Sequence, residues 1–225
     1  MPEMKNPRLF QRPQDLYLAS ADKISSIVER VQQLSYFFKE PSIDKYYSVI
    51  GGLSGLNHLL VIDPKEIVFF DINEDAIPYC NFIIELVKGC ESHTDFIESY
   101  FLRKVEGSLN ENNQEDYLSK PIDEQRLETT LSKLSEESQN VYKQAVLPLV
   151  KGEAPLEASN CMRVVPCWNP HHRVPVGGGE ATGCDESGKR VPNTNTFFYG
   201  YGWLHNKENY NKVKENLASS AVQVK

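Results

Sequence analysis

The residues most able to do chemistry in this chain lie between Tyr46 and Asn73. An apolar run here ends in the pair Gly51-Gly52, and Gly55 follows three residues later. Glycine lets a ligand come close to the backbone, because it has no Cβ for the ligand to clash with. The pattern therefore predicts a turn at which backbone groups hold a ligand.

A carboxylate ends the second apolar run of the same segment. Ile67 to Phe70 lead directly into Asp71, Ile72 and Asn73. A carboxylate at this position can accept hydrogen bonds from the two adjacent hydroxyls of a ribose. We therefore expect Asp71, with Ile72 and Asn73 beside it, to contact the ribose of an adenosine-containing ligand.

The glycine spacing favours a ligand without phosphates. The dinucleotide fingerprint G-x-G-x-x-G is absent, since the glycines follow the pattern Gly51-Gly52-x-x-Gly55, which offers no clear cradle for a pyrophosphate. S-adenosylmethionine (SAM) has a ribose and no phosphate, so it fits the pattern better than NAD or FAD. A plain parallel sheet that uses glycine for close packing is the alternative.

A second candidate group lies in the segment from Asn193 to Trp203. Amide, hydroxyl and aromatic side chains here sit beside glycines that bring the backbone close to a ligand. Aromatic faces attract a sulfonium through cation–π interactions. We expect Tyr199, Tyr201 and Asn195 to act at the reacting end of the ligand, and the alternative is a packed aromatic loop.

The elements that position the first group form a β–helix–β unit. The sequence predicts a strand from Tyr46 to Ile50, a short helix with leucines spaced by three and four, and a strand from Ile67 to Phe70. Both strands are continuously apolar, as expected in a parallel sheet covered on both faces. The predicted fold is α/β, a Rossmann-like three-layer sandwich with a mainly parallel sheet, and an incomplete sheet is an alternative because few strands can be counted.

Residues Tyr46 to Asn73 resemble motifs I and II of class I SAM-dependent methyltransferases. One residue departs from that pattern, because those enzymes usually carry an acidic residue two positions before the first glycine, where this chain has Val49. The resemblance implies SAM as the cofactor and assigns its binding to Gly51, Gly52, Gly55, Asp71, Ile72 and Asn73.

The same segment is also similar to the 3-amino-3-carboxypropyl transferases of betaine-lipid synthesis, which share the fold and the cofactor but move a different carbon of SAM. The paired glycines, Pro64 before the second strand and Asp71-Ile72-Asn73 at its end match their pattern. This likeness implies transfer or intramolecular cyclisation of the aminocarboxypropyl group, with release of methylthioadenosine.

The rest of the chain reads as one domain, residues 16–225, after a loose arm of residues 1–15. Residues 105–155 are predicted to be a helical insertion, whose long helix runs from Ile122 to about Val150 and is kinked or ended by Pro148. The other predicted elements are an amphipathic helix over 22–39, helices over 74–90, 94–103 and 205–217, and a strand that starts at Ala221.

Composition restricts the partners and the compartment. The net charge of −7 argues against nucleic acid, and no apolar run is long enough to predict a membrane span. Five cysteines, an odd number, favour reduced thiols in the cytoplasm. No metal is predicted, because the spacings of Cys161, Cys167, His171, His172 and Cys184 match no familiar site.

These observations predict a SAM-dependent transferase that acts on a small-molecule substrate, with methyl transfer favoured over aminocarboxypropyl chemistry. A homo-oligomer is one option for its assembly. The alternative from another class is a catalytically silent protein that keeps the nucleotide-binding shape for assembly.

Overall fold

The structure is a computed structural model, and it describes residues 42–71, 76–107, 117, 119–151, 203–204 and 206–225. The predictions for residues 1–41, for the cysteine- and histidine-containing stretch 161–184 and for the aromatic segment 193–202 lie outside the described residues. Within the described residues, no helix is both long and apolar enough to cross a membrane.

A small parallel sheet forms the centre of the described fold. Its strands are β1 (Ser42–Val49), β2 (Asp63–Phe70) and β3 (Ala221–Val224), and β2 lies between the other two. Both pairings are parallel, as the continuously apolar runs predict. The chain is therefore an α/β protein, and its sheet joins segments from the two ends of the sequence.

The connection between β1 and β2 is a 3₁₀ helix, Gly51–Leu60. A helix is predicted here, but its type follows from packing. Residues three apart eclipse one another in a 3₁₀ helix, which has three residues per turn. Leu53, Leu56 and Leu59 therefore share one face, and all three are fully buried.

Six helical segments complete the described fold. Three of them agree with the sequence-based predictions to within a few residues: α1 over 74–90, α2 over 94–103 and α6 over 205–217. Their observed bounds, with those of the insertion, are α1 (Ala76–Gly89), α2 (His93–Phe101), α3 (Glu124–Leu131), α4 (Glu136–Val141), α5 (Leu147–Lys151) and α6 (Lys207–Ser219).

The prediction of one long helix from Ile122 to about Val150 is wrong. The helix is interrupted after Leu131, and Ser135 starts a new one by accepting a hydrogen bond from the backbone N–H of Ser138. A π-helical turn, Tyr142–Val146, then leads into α5. Pro148 lies inside α5, where its missing N–H and its ring disturb a regular helix, and the wider π turn directly before it accommodates both.

Both strands of the central unit begin earlier than predicted. β1 starts at Ser42 instead of Tyr46, and β2 starts at Asp63 instead of Ile67, so that it includes Pro64, which was predicted to precede it. Pro64 is the second residue of its strand, close to the end position where proline is tolerated.

The helices that contact the sheet lie on one of its faces. Ile67 and Phe69 point into this helical core, whereas Val68 is buried without belonging to it. On the opposite face Tyr47, Val49 and Phe70 are 57%, 54% and 41% exposed. The helical core therefore covers one face of the sheet, Val68 is buried on the second face, and coverage of the rest of that face stays a prediction.

Candidate functional site

Asp71 lies at the carboxyl edge of the sheet, directly after the central strand. The N–H of Ile50 donates to Phe70 O at 3.0 Å on one side, and the N–H of Asp71 donates to Lys225 O at 3.2 Å on the other. Backbone hydrogen bonds thus hold the start of the glycine turn next to the end of β2, where Asp71 follows. This is the edge at which parallel α/β sheets bind their ligands.

The glycine turn is the first turn of the 3₁₀ helix. Gly51 and Gly52 open that helix, and the N–H of Leu53 donates to Ile50 O at 2.6 Å. Leu53 has φ +58, a left-handed conformation that is uncommon for a bulky side chain. Such strained backbone concentrates at functional sites, so the turn beside Asp71 is the first place to look for a ligand.

Gly55 faces the protein rather than the carboxyl edge. A Cβ added to Gly55 would lie 2.1 Å from Ser48 Oγ and 2.8 Å from Ser48 Cβ. This glycine therefore lets the 3₁₀ helix lie directly on β1. That packing contact accounts for Gly55 without a ligand, while the roles of Gly51 and Gly52 in cofactor binding stay predictions.

Tyr46 joins the middle of β1 to the 3₁₀ helix. Its hydroxyl donates to Gly55 O at 3.1 Å and lies 2.6 Å from Nδ1 of His58. The hydroxyl has one proton, so when it goes to Gly55, Nδ1 of His58 is the donor to the Tyr46 oxygen. Burial raises the pKa of Tyr46 to about 12, so the phenol stays protonated near neutral pH. Tyr46 is thus partly buried and packs against the hydrophobic core.

Val49, which stands where methyltransferases usually carry an acidic residue, pairs with Phe70 in the sheet. Its side chain is among those exposed on the face opposite the helices.

Trp203, the last residue of the aromatic segment, and Leu204 after it are held by the 3₁₀ helix and by α2. The N–H of Trp203 donates to Oδ1 of Asn57 at 2.8 Å, and Leu204 O lies 2.8 Å from Nε2 of His93. Trp203 itself is fully buried between Phe96 and Tyr210. The end of the aromatic segment is therefore anchored beside the helix that starts at the glycine turn. The predicted site residues Ile72, Asn73, Asn195, Tyr199 and Tyr201 lie outside the described residues.

A charged cluster that the sequence did not predict joins α2 to α3. Nζ of Lys133 donates to both carboxylate oxygens of Asp95 at 2.7 and 2.8 Å, and Arg126 donates to the same carboxylate. Burial alone would raise the pKa of Asp95. The hydrogen bonds from Lys133 and Glu91 N, together with the positive charges of Lys133 and Arg126, outweigh burial, and the pKa of Asp95 is lowered. The cluster pairs two cations with the carboxylates of Asp95 and Glu98, which is typical of a structural network, and Nε of Arg126 is its one buried donor that has no hydrogen-bond partner among the described residues.

The sequence analysis also missed Arg103, a buried cation that has no carboxylate partner within the part of the chain that the structure describes. Arg103 donates to Lys120 O at 2.8 Å, Phe101 O at 2.8 Å and Val150 O at 3.0 Å. Phe101 and Val150 lie in the last turns of α2 and α5, where helix dipoles present partial negative charge. The two helix ends therefore compensate the guanidinium, although burial lowers its pKa.

Two thiols are described, and neither is poised as a nucleophile. Cys80 and Cys90 are free and buried. Burial raises the pKa of Cys90 to about 11. Burial, with the negative charge of Asp71 as a smaller cause, raises the pKa of Cys80 still further above its ordinary range. Among the described residues, no group of three or more His, Cys, Asp or Glu side chains is arranged to hold a metal ion.

No protein family model, no curated protein and no solved structure matches this chain.

Proposed function

We propose that this protein is a SAM-dependent transferase that acts on a small molecule, with methyl transfer as the favoured reaction. The observation that carries the proposal is the position of Asp71, at the carboxyl end of the central parallel strand and beside the turn that leaves β1. A carboxylate and a close backbone at this edge suit a ribose and the chain attached to it.

Two further observations support a ligand site at the carboxyl edge of the sheet. Leu53 is strained in the turn that opens with Gly51 and Gly52. The N–H of Trp203 donates a hydrogen bond to Asn57, so the last residue of the aromatic segment lies beside the same 3₁₀ helix. Gly52 lies five residues before Asn57, about 10 Å along the 3₁₀ helix, and four extended residues span up to about 14 Å, so Tyr199 is within reach of the turn.

The finer architecture belongs to the same proposal. We expect the described sheet and its helices to be part of a Rossmann-like three-layer sandwich, in which the exposed face that carries Tyr47, Val49 and Phe70 is also covered. The sulfonium supplies the driving force for transfer, so the protein mainly has to hold the acceptor in line with the carbon that is attacked.

Calorimetric titration of the full chain with SAM tests the proposal. We expect a saturable binding isotherm, and an absence of binding at millimolar SAM would contradict it. Product analysis then separates the two chemistries, because S-adenosylhomocysteine marks methyl transfer and methylthioadenosine marks attack on the aminocarboxypropyl carbon.

Asp71→Ala should weaken SAM binding, because it removes two charge-assisted hydrogen bonds to the ribose. The expected loss is about 2–4 kcal/mol, or about 30-fold to 1,000-fold in Kd. Asp44→Ala is the matched control, since Asp44 is an exposed carboxylate near the amino end of β1. Equal dissociation constants for the two variants would remove Asp71 from the site.

The exposed apolar face favours a second candidate, a catalytically silent protein that keeps the nucleotide-binding shape for assembly. Tyr47, Val49 and Phe70 form an apolar group on a single face, and such groups often mark contact surfaces. Val49 in place of the usual acidic residue points in the same direction. Assembly of a purified chain that does not bind SAM would support this candidate over the transferase.

A further inference from the structure

The 3₁₀ helix between β1 and β2 is longer than such helices usually are. It extends over ten residues, whereas runs of more than three or four residues are uncommon because the hydrogen-bond geometry is poor. Interactions from outside the helix must therefore stabilise it against the ordinary α-helix.

The choice between the two helix types decides where the glycine turn lies. Ten residues span about 20 Å as a 3₁₀ helix and about 15 Å as an α-helix. The carboxyl-terminal end of the helix is fixed, because Nδ2 of Asn216 donates to Leu59 O at 2.8 Å and Ile62 O at 3.3 Å. The opposite end is tied to β2 by the hydrogen bond from Ile50 N–H to Phe70 O, so a change of pitch would have to break that bond or move Gly51 and Gly52 by about 5 Å against it.

Tyr46 makes the side-chain contact that best fits this stabilising role. Its hydroxyl donates to Gly55 O, halfway along the helix, and contacts His58 one turn further on. The distance between these two positions along the helix depends on the pitch, so one hydroxyl that meets both favours the 3₁₀ form. Ser48, which touches Gly55 from the same face of β1, leaves the helix no room to move inward.

We propose that Tyr46 is a positioning residue of the cofactor site: its hydroxyl holds the 3₁₀ helix at the pitch that brings the Gly51–Leu53 turn to the carboxyl edge beside Asp71. This inference rests on the proposed function for the identity of the ligand. The effect of the Tyr46 hydroxyl on the position of the turn does not depend on any ligand.

The test compares three tyrosine-to-phenylalanine variants of the full chain. Tyr46→Phe removes the hydroxyl and keeps the ring. Tyr210→Phe is the control for lost stability, because the hydroxyl of Tyr210 is also buried and donates to Val87 O at 3.0 Å. Tyr47→Phe is the neighbouring control on the exposed face of the sheet. Urea unfolding, amide hydrogen exchange over residues 51–55 and calorimetry with SAM are measured for each.

Tyr46→Phe should speed amide exchange over residues 51–55 and raise the Kd for SAM, each on the order of tenfold, as expected for one lost hydrogen bond. Tyr210→Phe should lose comparable stability without either change, and Tyr47→Phe should resemble the parent. If Tyr46→Phe and Tyr210→Phe behave alike, Tyr46 is only a core residue and the inference is wrong.

The exchange measurement keeps the inference and the proposed function apart. If the parent does not bind SAM, the transferase proposal fails, and exchange over residues 51–55 alone decides the role of Tyr46. His58→Leu removes the other partner of the same hydroxyl and replaces Tyr46→Phe if that variant does not fold. It should speed exchange in the same residues, and unchanged exchange would overturn the inference.

Discussion

The carboxylate of Asp95 accepts hydrogen bonds from three parts of the described fold. Glu91 N donates to it at 2.7 Å at the start of α2, and Lys133 and Arg126 bind it from the far side. The Asp95 and Lys133 side chains are each 17% exposed, so solvent screens the pair less than it screens a surface ion pair. A single side chain thus connects α2 to the insertion.

Asp95→Asn should lower the free energy of unfolding by about 2–4 kcal/mol at pH 7, because it removes the carboxylate that Lys133 binds and leaves Arg126 with Glu98 alone. The pKa of Asp95 is lower in the folded protein than in the unfolded chain. The ionised carboxylate therefore contributes its full share of stability above the ordinary aspartate pKa of about 3.9, and this share is lost as the pH falls through the pKa of the folded state. The stability of the parent should therefore fall below about pH 4 more steeply than that of the variant. Urea unfolding at pH 7, 4 and 3 measures both effects.

Asp44→Asn provides the matched control for Asp95. Asp44 also pairs with a lysine, Lys65, at 2.7 Å, but both side chains are exposed. This variant should unfold like the parent at each pH. A loss of stability as large as that of Asp95→Asn would mean that burial does not set the strength of these pairs.

The 3₁₀ helix and β1 fit closely against each other where Gly55 faces Ser48. Gly55 has no Cβ, and Ser48 occupies the space where one would lie. Rotation of the Ser48 hydroxyl could relieve the 2.1 Å contact with its Oγ, but not the 2.8 Å contact with its Cβ. The close fit is therefore a property of two residues that belong to different elements.

Gly55→Ala should lower the free energy of unfolding by about 1–3 kcal/mol, as overpacking does in other cores. Ser48→Gly in the same chain removes both clashing atoms and should restore part of that loss, despite the cost of about 0.5–1 kcal/mol of a glycine within a strand. A double-mutant cycle by urea unfolding measures the coupling. Strictly additive effects would contradict the contact.

The Arg103 side chain connects the ends of two helices, α2 and α5, in the described part of the molecule. One guanidinium binds carbonyls at the end of α2, in the segment before α3 and in α5. Tyr117 adds a hydrogen bond from its hydroxyl to Arg103 O at 2.8 Å. The insertion is therefore bound to the core through buried polar groups as well as through apolar packing.

Arg103→Met should lower the free energy of unfolding by about 3–5 kcal/mol, because it keeps much of the side-chain volume but leaves buried carbonyls without donors. Lys104→Met is the matched control, since Lys104 is the next residue and is exposed. Thermal and urea unfolding of both variants test the prediction. A loss that is equally small for both would show that water replaces the guanidinium.

The amino-acid sequence by itself determined the parallel β–helix–β unit, α1, α2, α6 and the strand at Ala221. These elements follow from local patterns, such as the apolar runs that end at Ile50 and Phe70 and the helical spacing of buried residues in α1. The position of Asp71 at the end of its strand is equally local, which is why the proposed ribose contact could be predicted.

Tertiary structure alone decided the features that depend on contacts between distant residues. The leucine spacing allows either helix type, and the contact of Tyr46 with Gly55 and His58 favours the 3₁₀ form. Likewise, Asn57 meets Trp203 and Arg103 meets Val150 only after the chain has folded. No local pattern encodes such contacts, because their free energy arises from burial and from partners that are far apart in the sequence.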